Sequence, residues 1–405
     1  MIRPLIDTLR MEDIDDNVYF SEKYSGYISN SRLSLINPNQ DGSPEKFFDG
    51  LAAHKLYLDS LIFGSAVHGL SLQPESYELI DGVDRPTAKA GFIADIVYNK
   101  DGVMPTDEQL IEAAVEVDYY HGILNEAKMT KLRASITDYL KARAEFEQNY
   151  DFSKVPIYLD PKGRDKLNAC MTALETNNRI QELLHPKGII TEPVVGNEKT
   201  ILMDIEVTPE GEDPVILRLK SKLDNFTIDF ENNTIYVNDI KTTGKMLNEF
   251  DKAIDTFHYF RELAMYSWLL SLVAEKYYGM KNPTIKGNFL VVSTIPNYYT
   301  KVVPMTRGLY LKGFNEFKEL VTLVAKYKNA GCLVDAVCQC NKFPTKRAIR
   351  MANAIMLERL LVTGKYGSAT NMARLIGVSQ PHVTQLLNML NLPPAEIEAI
   401  LFETQ

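Results

Sequence analysis

Three charged residues near the middle of the chain have the types and spacing for metal-dependent chemistry: Asp224, Asp239 and Lys241. Asp239 and Lys241 are two positions apart, so on a strand they project to one side while Ile240 points to the other. Burying such groups without compensation is costly. The economical explanation is a divalent cation that bridges Asp224 and Asp239, with Lys241 beside it. The alternative is a solvated hairpin edge, because Asp-x-Lys triplets occur by chance in most long chains.

Two predicted strands carry these residues. Leucines alternate with polar residues over 217–224, and residues 235–240 are rich in β-branched types. Between them, residues 231–233 (Glu-Asn-Asn) favour a turn. We therefore expect a β-hairpin with Asp224 on its first strand and Asp239 on its second.

A histidine lies upstream, at the end of a predicted helix over about 47–70. The small residues Gly64, Ser65 and Ala66 permit close approach of the backbone to a neighbour. That approach would let the imidazole of His68 reach an adjacent strand. The alternative is a histidine whose polar atoms are satisfied within the core.

The remaining predicted elements place this hairpin in an α/β fold of layered helices and strands. A charge-rich segment over 81–150 reads as a helical insertion. The other predicted elements are a helix that begins near Ser31 with a Ser or Asn cap, helices over 106–122, 125–149, 164–184 and 254–278, and strands over 189–194, 200–207, 287–293 and 299–304.

Composition sets broad limits. The 405 residues, 45% of them apolar, are enough for a sizeable core in two or three domains. The net charge of −9 argues against a generally basic nucleic-acid coat but allows a basic channel in an acidic body. The sequence shows neither a signal peptide nor a long apolar span, so we expect a cytoplasmic protein with no membrane partner. The cysteines, expected as free thiols because their spacing does not fit an iron–sulfur cluster, are Cys170, Cys332, Cys338 and Cys340.

The C-terminal segment differs from the rest in charge: over 342–405, seven Lys/Arg against four Asp/Glu give a net +3. Residues 344–364 predict a helix, and 369–390 predict two helices broken at 377–379, the pattern of a helix-turn-helix. The residues that would lock the two helices together are Ala373, Gly377, Val378, Val383 and Leu386. The outward-facing residues suited to base edges and phosphates are Gln380, His382, Thr384, Gln385 and Asn388. A helical protein-interaction module is the alternative, because this second helix has no Arg or Lys.

Taken together, three segments resemble the PD-(D/E)XK nuclease superfamily, and more closely its RecE-like and lambda-exonuclease-like phage recombination nucleases. Residues 64–75 are similar to the family signature Gly-x-x-x-His-x-x-x-Leu-x-Pro-Glu. Residues 28–33 are similar to its N-terminal capped helix, and Leu223-Asp224 with residues 239–243 (Asp-Ile-Lys-Thr-Thr) to its catalytic hairpin. The resemblance covers roughly residues 25–305. The joint occurrence of the three segments favours a nuclease site over a solvated hairpin.

The resemblance implies a restriction-endonuclease-like core, which is a mixed central sheet flanked by helices, with a small all-α domain at the C terminus. The expected division of the chain is 1–80 for the N-terminal part of the nuclease core, 81–150 for the helical insertion, 151–331 for the catalytic core, 332–344 for a linker and 345–405 for the helix-turn-helix domain.

The resemblance further implies a Mg²⁺- or Mn²⁺-dependent exonuclease that digests linear duplex DNA from the 5′ side in phage or prophage recombination within a bacterial cell. Such relatives form ring-shaped oligomers and work with a single-strand annealing protein, so we expect a homo-oligomer and a partner of that kind. Two alternatives stay open. One is a structure- or site-specific endonuclease, and the other is a DNA-binding regulator that acts through the helix-turn-helix.

In this hypothesis each candidate residue has a role. Lys241 would orient or deprotonate the attacking water. The groups expected to hold the metal are Asp224, Asp239, the main-chain carbonyl of Ile240, His68 and Glu192, the last on the strand before the hairpin.

Residues near the hairpin are candidates for DNA contact. Lys220 and Lys222 are expected to line a DNA channel, and Arg261 and Tyr266 to contact phosphate or stack on bases. For each, an ordinary surface position is the alternative. Glu262 stands where many family members have the Gln of a Gln-x-x-x-Tyr motif. An anion there would repel a DNA phosphate unless it binds metal or pairs with Arg261.

Overall fold

The computed structural model of the protein describes residues 1–43, 46–47, 57–122, 124–329, 346–362, 368–370, 373 and 379–401. Its strands are β1 (Ile2–Glu12), β2 (Tyr77–Leu79), β3 (Val155–Ile157), β4 (Val194–Val207), β5 (Val215–Asp229), β6 (Thr234–Thr243), β7 (Thr284–Ser293) and β8 (Thr300–Pro304). Its α-helices are α1 (Asp16–Tyr19), α2 (Asn30–Ser34), α3 (Asp59–Leu72), α4 (Ala88–Val97), α5 (Asp107–Glu116), α6 (Glu126–Gln148), α7 (Pro161–Glu175), α8 (Asn178–Leu184), α9 (Phe250–Thr256), α10 (Tyr259–Tyr278), α11 (Arg307–Asn329), α12 (Lys346–Val362), α13 (Gln380–Asn388) and α14 (Pro394–Leu401).

One mixed sheet of six strands forms the centre of the fold, in the order β1-β4-β5-β6-β7-β8. Neighbouring strands run antiparallel, except that β6 and β7 run parallel. β2 and β3 form a separate parallel pair. The predicted architecture, a mixed central sheet flanked by helices, is confirmed at this level.

Helices cover both faces of the six-stranded sheet. On one face, α10 and α11 bury Phe260, Leu269 and Phe317 completely in the main core. On the other face, α3, α7 and α8 surround a second core that includes Val67 and Leu167. Each fully buried side chain of this kind stabilises the fold by roughly 1.5 to 3 kcal/mol. The sheet therefore has a packed helical layer on each side.

The segment between α3 and α7 contains the helices that the sequence predicts. α4, α5 and α6 pack around their own apolar cluster, which includes Leu110 and Ile136. Thr106 starts α5 with a capping box to Gln109, and Asn125 caps α6. The helix predicted over 125–149 is confirmed, whereas the helix predicted over 106–122 ends at Glu116, before Tyr120 and His121 with their left-handed φ of 47° and 54°. The expected domain borders stay predictions.

β5 and β6 form the predicted hairpin, but their pairing is limited to residues 225–229 and 234–238. Before residue 225 the two strands diverge. There the backbone of Ile28 lies beside β5: its N–H donates to the carbonyl of Arg218 (2.7 Å), and its carbonyl accepts from the N–H of Lys220 (3.0 Å). We call the point where β5 and β6 separate, next to the last pair Asn225↔Asn238, the fork.

Three predicted helices differ from the structure. α3 begins only after Leu58, whose backbone is extended (φ −126°, ψ 126°), although a helix from residue 47 was expected; residues 48–56 lie outside the described part. The helix expected over 164–184 is two helices, because Asn177 caps the start of α8. His258, in the left-handed region (φ 53°), similarly separates α9 from α10.

The strand predictions before the hairpin also need correction. β4 is one strand over Val194–Val207, where two strands were expected. Residues 189–193 precede it and form no strand, although Ile190 makes an isolated β-bridge with Lys187. The predictions omitted several elements, and two of them belong to the central sheet and its helical layer. β1 pairs with β4 at the edge of the sheet, and α11 packs against α10. The predicted helix α2 is confirmed, with Ser29 as its cap.

The C-terminal helices contact two apolar clusters. Ala348 and Ala352 of α12 belong to the main core, whereas Ala354 and Leu357 of the same helix pack with α13. The expected linker and its cysteines Cys332, Cys338 and Cys340 lie outside the described residues. Cys170 is a buried free thiol. None of the described helices combines the length and apolar character needed to cross a bilayer.

Candidate functional site

The charged residues of the hairpin lie at the fork between β5 and β6. Asp224 is next to the last backbone pair of the hairpin, and its Oδ2 accepts a hydrogen bond of 2.7 Å from the backbone N–H of Ile240. Asp239 precedes Ile240 on β6 and is 1% exposed. The side chain of Asp224 thus bridges the diverging strands where the backbone ladder stops, and the structure brings both aspartates to this fork.

Lys241 lies between two carboxylates. Its Nζ is 2.9 Å from Asp239 Oδ2 and 2.9 Å from Glu262 Oε2 on α10, and it stands 4.7 Å from the ring centroid of Tyr259. Burial opposes the charged ammonium, but Asp239 and Glu262 outweigh burial and raise the pKa of Lys241 well above its ordinary value. Lys241 is therefore held as a cation, which favours an orienting role over removal of a proton from water.

Glu262 is compensated by Lys241 and by Tyr266, whose hydroxyl donates to Glu262 Oε1 (3.2 Å). Of the two partners expected for Glu262, a metal or Arg261, the second is not in contact with it. Arg261 points elsewhere and is fully buried, with its Nη1 2.7 Å from Glu316 Oε1. The reason is helical geometry, because consecutive residues of a helix do not face each other.

His68 connects α3 to the fork. Its Nε2 lies 2.9 Å from the carbonyl oxygen of Ile240, and its Nδ1 lies 3.4 Å from Asp224 Oδ2. Burial opposes the imidazolium, but Asp224 outweighs burial and raises the pKa of His68 to about 9. For Asp224, burial favours the neutral acid, yet His68 brings the pKa of the carboxyl below its ordinary value. The carbonyl of Ile240, expected as a metal ligand, is here the partner of His68.

A further carboxylate at the fork comes from Glu198 on β4. It lies opposite Asp224, between the pairs 197↔225 and 199↔223, and its Oε1 is 3.9 Å from His68 Nδ1. Burial raises the pKa of Glu198 to about 7, and Asp224 adds to the shift, while Lys222 at 3.2 Å opposes it. The φ of Glu198, 51°, is unusual for a strand residue and is a strain often found at functional sites.

Glu192, the carboxylate that the sequence predicts for this role, is outside the site. It precedes β4, is exposed and has a φ of 46°. Six residues of extended chain separate it from Glu198, which corresponds to about 20 Å. The error follows from the strand prediction, because Glu198 falls between the two strands expected over 189–194 and 200–207. No local motif marks Glu198.

His68, Glu198 and Asp224 could hold a metal ion, because potential ligand atoms from the three residues all lie within 4.8 Å of one another. Among the described residues no other such group was found. Carboxylate oxygens suit Mg²⁺ and Mn²⁺, and an imidazole is also compatible with Mn²⁺. Asp239, expected to bridge the metal with Asp224, is instead in contact with Lys241.

The charge balance of the fork fits an additional cation. Burial raises the pKa of Asp239 well above its ordinary value, and Asp224 and Glu262 add to the shift although Lys241 opposes it. Lys241 donates its hydrogen bond to Oδ1 of Asp239 (3.1 Å), so the buried Oδ2 has only the ion-pair contact with the same ammonium. Carboxylates thus exceed the local cations, and a divalent cation would relieve their repulsion.

The residues predicted to contact DNA near the hairpin are mostly covered. Lys220 is 8% exposed and donates from Nζ to the carbonyl of Tyr19 (2.7 Å). Lys222 pairs with Asp16 and Glu198. Tyr266 is buried against Glu262, and the fully buried Arg261 cannot contact DNA in this conformation. The two lysines are not free to bind DNA because the N-terminal segment contacts them, and Arg261 and Tyr266 are not because they have partners in the core.

At the C terminus, the polar residues predicted on the second helix lie on α13. Gln380, Thr384 and Gln385 are exposed, and His382 is half-buried. The residues of the expected turn, Gly377 and Val378, lie outside the described part. The structure agrees with the predicted burial of three other residues, which are Ala373, Val383 and Leu386.

A row of asparagines crosses the sheet beside the site. Asn225 donates to Asn197 Oδ1 (2.7 Å), Asn238 to Asn225 Oδ1 (2.7 Å) and Asn288 to Asn238 Oδ1 (2.9 Å). Asn197, Asn225 and Asn238 are the chain neighbours of Glu198, Asp224 and Asp239, respectively. The row therefore ties four adjacent strands, β4 to β7, at the level of the fork.

Comparison with known proteins gives limited information. Neither protein-family models nor curated proteins match the chain. A solved structure named "Putative exonuclease" from Eubacterium rectale is similar over 78% of this chain and 87% of its own, with 9% identity and a TM-score of 0.41.

Proposed function

We propose that this protein is a metal-dependent deoxyribonuclease with a PD-(D/E)XK-type site at the fork between β5 and β6. The observation that carries the proposal is the meeting of Asp224, Asp239 and Lys241 at this fork. His68 and Glu198 join them from two other elements. A chance Asp-x-Lys triplet on a solvated hairpin edge would not be buried among further carboxylates.

The donor set supports Mg²⁺ or Mn²⁺ as the cofactor. Asp224 and Glu198 would hold the ion, with Asp239 and His68 beside it. The bound metal would supply a more acidic water and neutralise charge on the phosphate. Hydrolysis would add a water molecule to phosphorus and break the bond to the 3′-oxygen, leaving a 5′-phosphate and a 3′-hydroxyl.

Lys241 has a separate role in this proposal. As a cation it would orient the attacking water and stabilise the negative charge that develops on the phosphoryl oxygens. Asp239 and Glu262 hold its Nζ in place. Tyr266 in turn orients Glu262 through its hydroxyl. The chain thus positions the ammonium with two carboxylates before the substrate arrives.

The finer assignments belong to the same proposal. They are an exonuclease mode with 5′ to 3′ polarity on linear duplex DNA, a homo-oligomeric state and a single-strand annealing partner in phage-type recombination. Their support is the sequence resemblance. Contact of the exposed polar face of α13 with DNA is also proposed.

The test compares cleavage of end-labelled linear duplex and covalently closed duplex with Mg²⁺. Lys241→Ala and Asp239→Ala should each reduce cleavage by about 10²- to 10³-fold, whereas Lys245→Ala, at an exposed lysine two residues beyond the end of β6, should not. Undiminished cleavage in both site variants would refute the nuclease assignment. Nicking of closed circles would indicate an endonuclease. Sequence-specific binding in EDTA with no cleavage in Mg²⁺ would favour the regulator.

A further inference from the structure

We propose that residues 13–27, here called the strap, act as an autoinhibitory mimic of DNA. In this view, carboxylate and carbonyl oxygens of the strap contact the ammonium groups of three lysines. These lysines bind backbone phosphates of DNA when the strap moves away. The inference rests on the proposed function, because it assigns a DNA path to the fork. It concerns access to the site and not the chemistry within it.

The three lysines lie on neighbouring strands close to the fork. Lys220 and Lys222 are two apart on β5 and share one face, with Lys222 paired in register to Thr200. Lys199 on β4 pairs with Leu223 and therefore projects to the other face, near the point where β1 ends. Lys222 Nζ is also 3.2 Å from Glu198 Oε2. A polyanion that followed the Lys220 and Lys222 face of β5 would therefore arrive at the candidate metal ligands.

The strap covers each lysine with an oxygen. Asp13 pairs with Lys199, and Asp16 pairs with Lys222. The carbonyl of Tyr19 accepts from Lys220, whose Nζ also lies 4.3 Å from the centroid of the Tyr19 ring. Burial in this position lowers the pKa of Lys220 to about 8. Carboxylate and carbonyl oxygens thus stand where phosphate oxygens would bind.

The ends of the strap are attached to the sheet, and its middle has a small anchor. Glu12 pairs with Thr200 on one side, and Ile28 bonds to β5 at the fork on the other. Between them, Ile14, Tyr19 and Tyr24 pack against Leu202 in a separate apolar cluster. Because both ends are attached to the sheet and this cluster is separate from the main core, displacement of the strap from the lysines would cost the contacts of the small cluster but not those of the main core.

The energetics favour exchange for DNA. The side chains of Asp13 and Asp16 are 77% and 54% exposed. Exposed ion pairs of this kind contribute little to stability. A DNA strand that replaced them would gain from the release of condensed counterions at each phosphate. The two ion pairs, whose acidic partners are solvated, are therefore weak enough for a polyanion to compete, and the buried contact of Lys220 with Tyr19 would be given up together with them.

The test measures binding of a short fluorescein-labelled linear duplex to the full chain by anisotropy, with Ca²⁺ in place of Mg²⁺. Asp13→Asn with Asp16→Asn should bind about fivefold more tightly, as expected from the loss of two exposed ion pairs. The slope of log K against log salt should become steeper by about two, one for each lysine released. Adding Lys199→Gln to this variant should remove about half of the gain.

The matched control is Asp15→Asn with Glu22→Gln, which removes the same charge from the same strap. Asp15 caps α1 by accepting from the N–H of Val18, and Asn keeps that cap. If the control binds as tightly as the Asp13/Asp16 variant, the effect is general electrostatics and the inference is overturned.

A second measurement needs no variant. DNA should accelerate tryptic cleavage of the wild-type chain after the exposed Lys23, because the strap would be displaced. Protection of Lys23 by DNA would contradict the inference. The outcomes separate the two proposals. Tighter binding without any cleavage in Mg²⁺ would refute the nuclease but not the strap, and cleavage without the affinity gain would refute the strap alone.

Discussion

The Nζ atom of Lys241 on β6 lies 2.9 Å from Oε2 of Glu262 on α10. The helix α9 lies between these two elements in the chain. From the resemblance alone, a glutamate at this position is expected to repel a DNA phosphate unless it binds metal or pairs with Arg261. In the structure its charge is used within the protein, because it holds the cation that Asp239 contacts from the other side.

Replacing Glu262 by Gln should lower the pKa of Lys241, because one of the two carboxylates that raise it loses its charge. At pH 9 a larger fraction of Lys241 would then be neutral and reactive. We expect faster labelling of Lys241 by an amine-reactive reagent, measured on its peptide by mass spectrometry. Glu275→Gln, an exposed site on the same helix, should leave the rate unchanged. Equal rates in the two variants would show that Glu262 does not control this lysine.

Replacing Glu198 by Gln should weaken Mn²⁺ binding by about tenfold or more, because an amide is a poorer ligand than a carboxylate. Isothermal titration calorimetry with Mn²⁺ measures this directly. The control is Glu192→Gln, which removes the carboxylate that the sequence favours and should leave the affinity unchanged. A loss of affinity in the Glu192 variant alone would place the metal elsewhere.

Replacing Asn238 by Asp should destabilise the fold by about 2 to 4 kcal/mol. Asn238 donates from Nδ2 to Asn225 Oδ1 and to the carbonyl of Leu183 (3.2 Å), and an aspartate has no such donor. Urea unfolding monitored by circular dichroism measures the free energy of unfolding. Asn315→Asp, at an exposed position of α11, is the control and should change stability by less than about 0.5 kcal/mol. A similar loss in both variants would show that the asparagine row is not the cause.

Local patterns in the sequence determined several parts of this protein. Alternation of leucine with polar residues predicts β5, and a β-branched run predicts β6, because a half-buried strand exposes successive side chains to different environments. The spacing of Asp239 and Lys241 predicts that they share a face, and they are in contact. Caps such as Ser29 and Asn125 mark helix starts because they satisfy free backbone N–H groups.

Other features depend on contacts between segments that are distant in the chain. Glu198 enters the site because β4 pairs with β5, and no local pattern distinguishes it from the exposed Glu192. Lys220 and Lys222 have the spacing of a basic channel, yet the N-terminal segment covers them. The protonation of Lys241 was also decided by tertiary structure. Burial and the two carboxylates act through space, and only the packing of α10 against the fork brings Glu262 within reach.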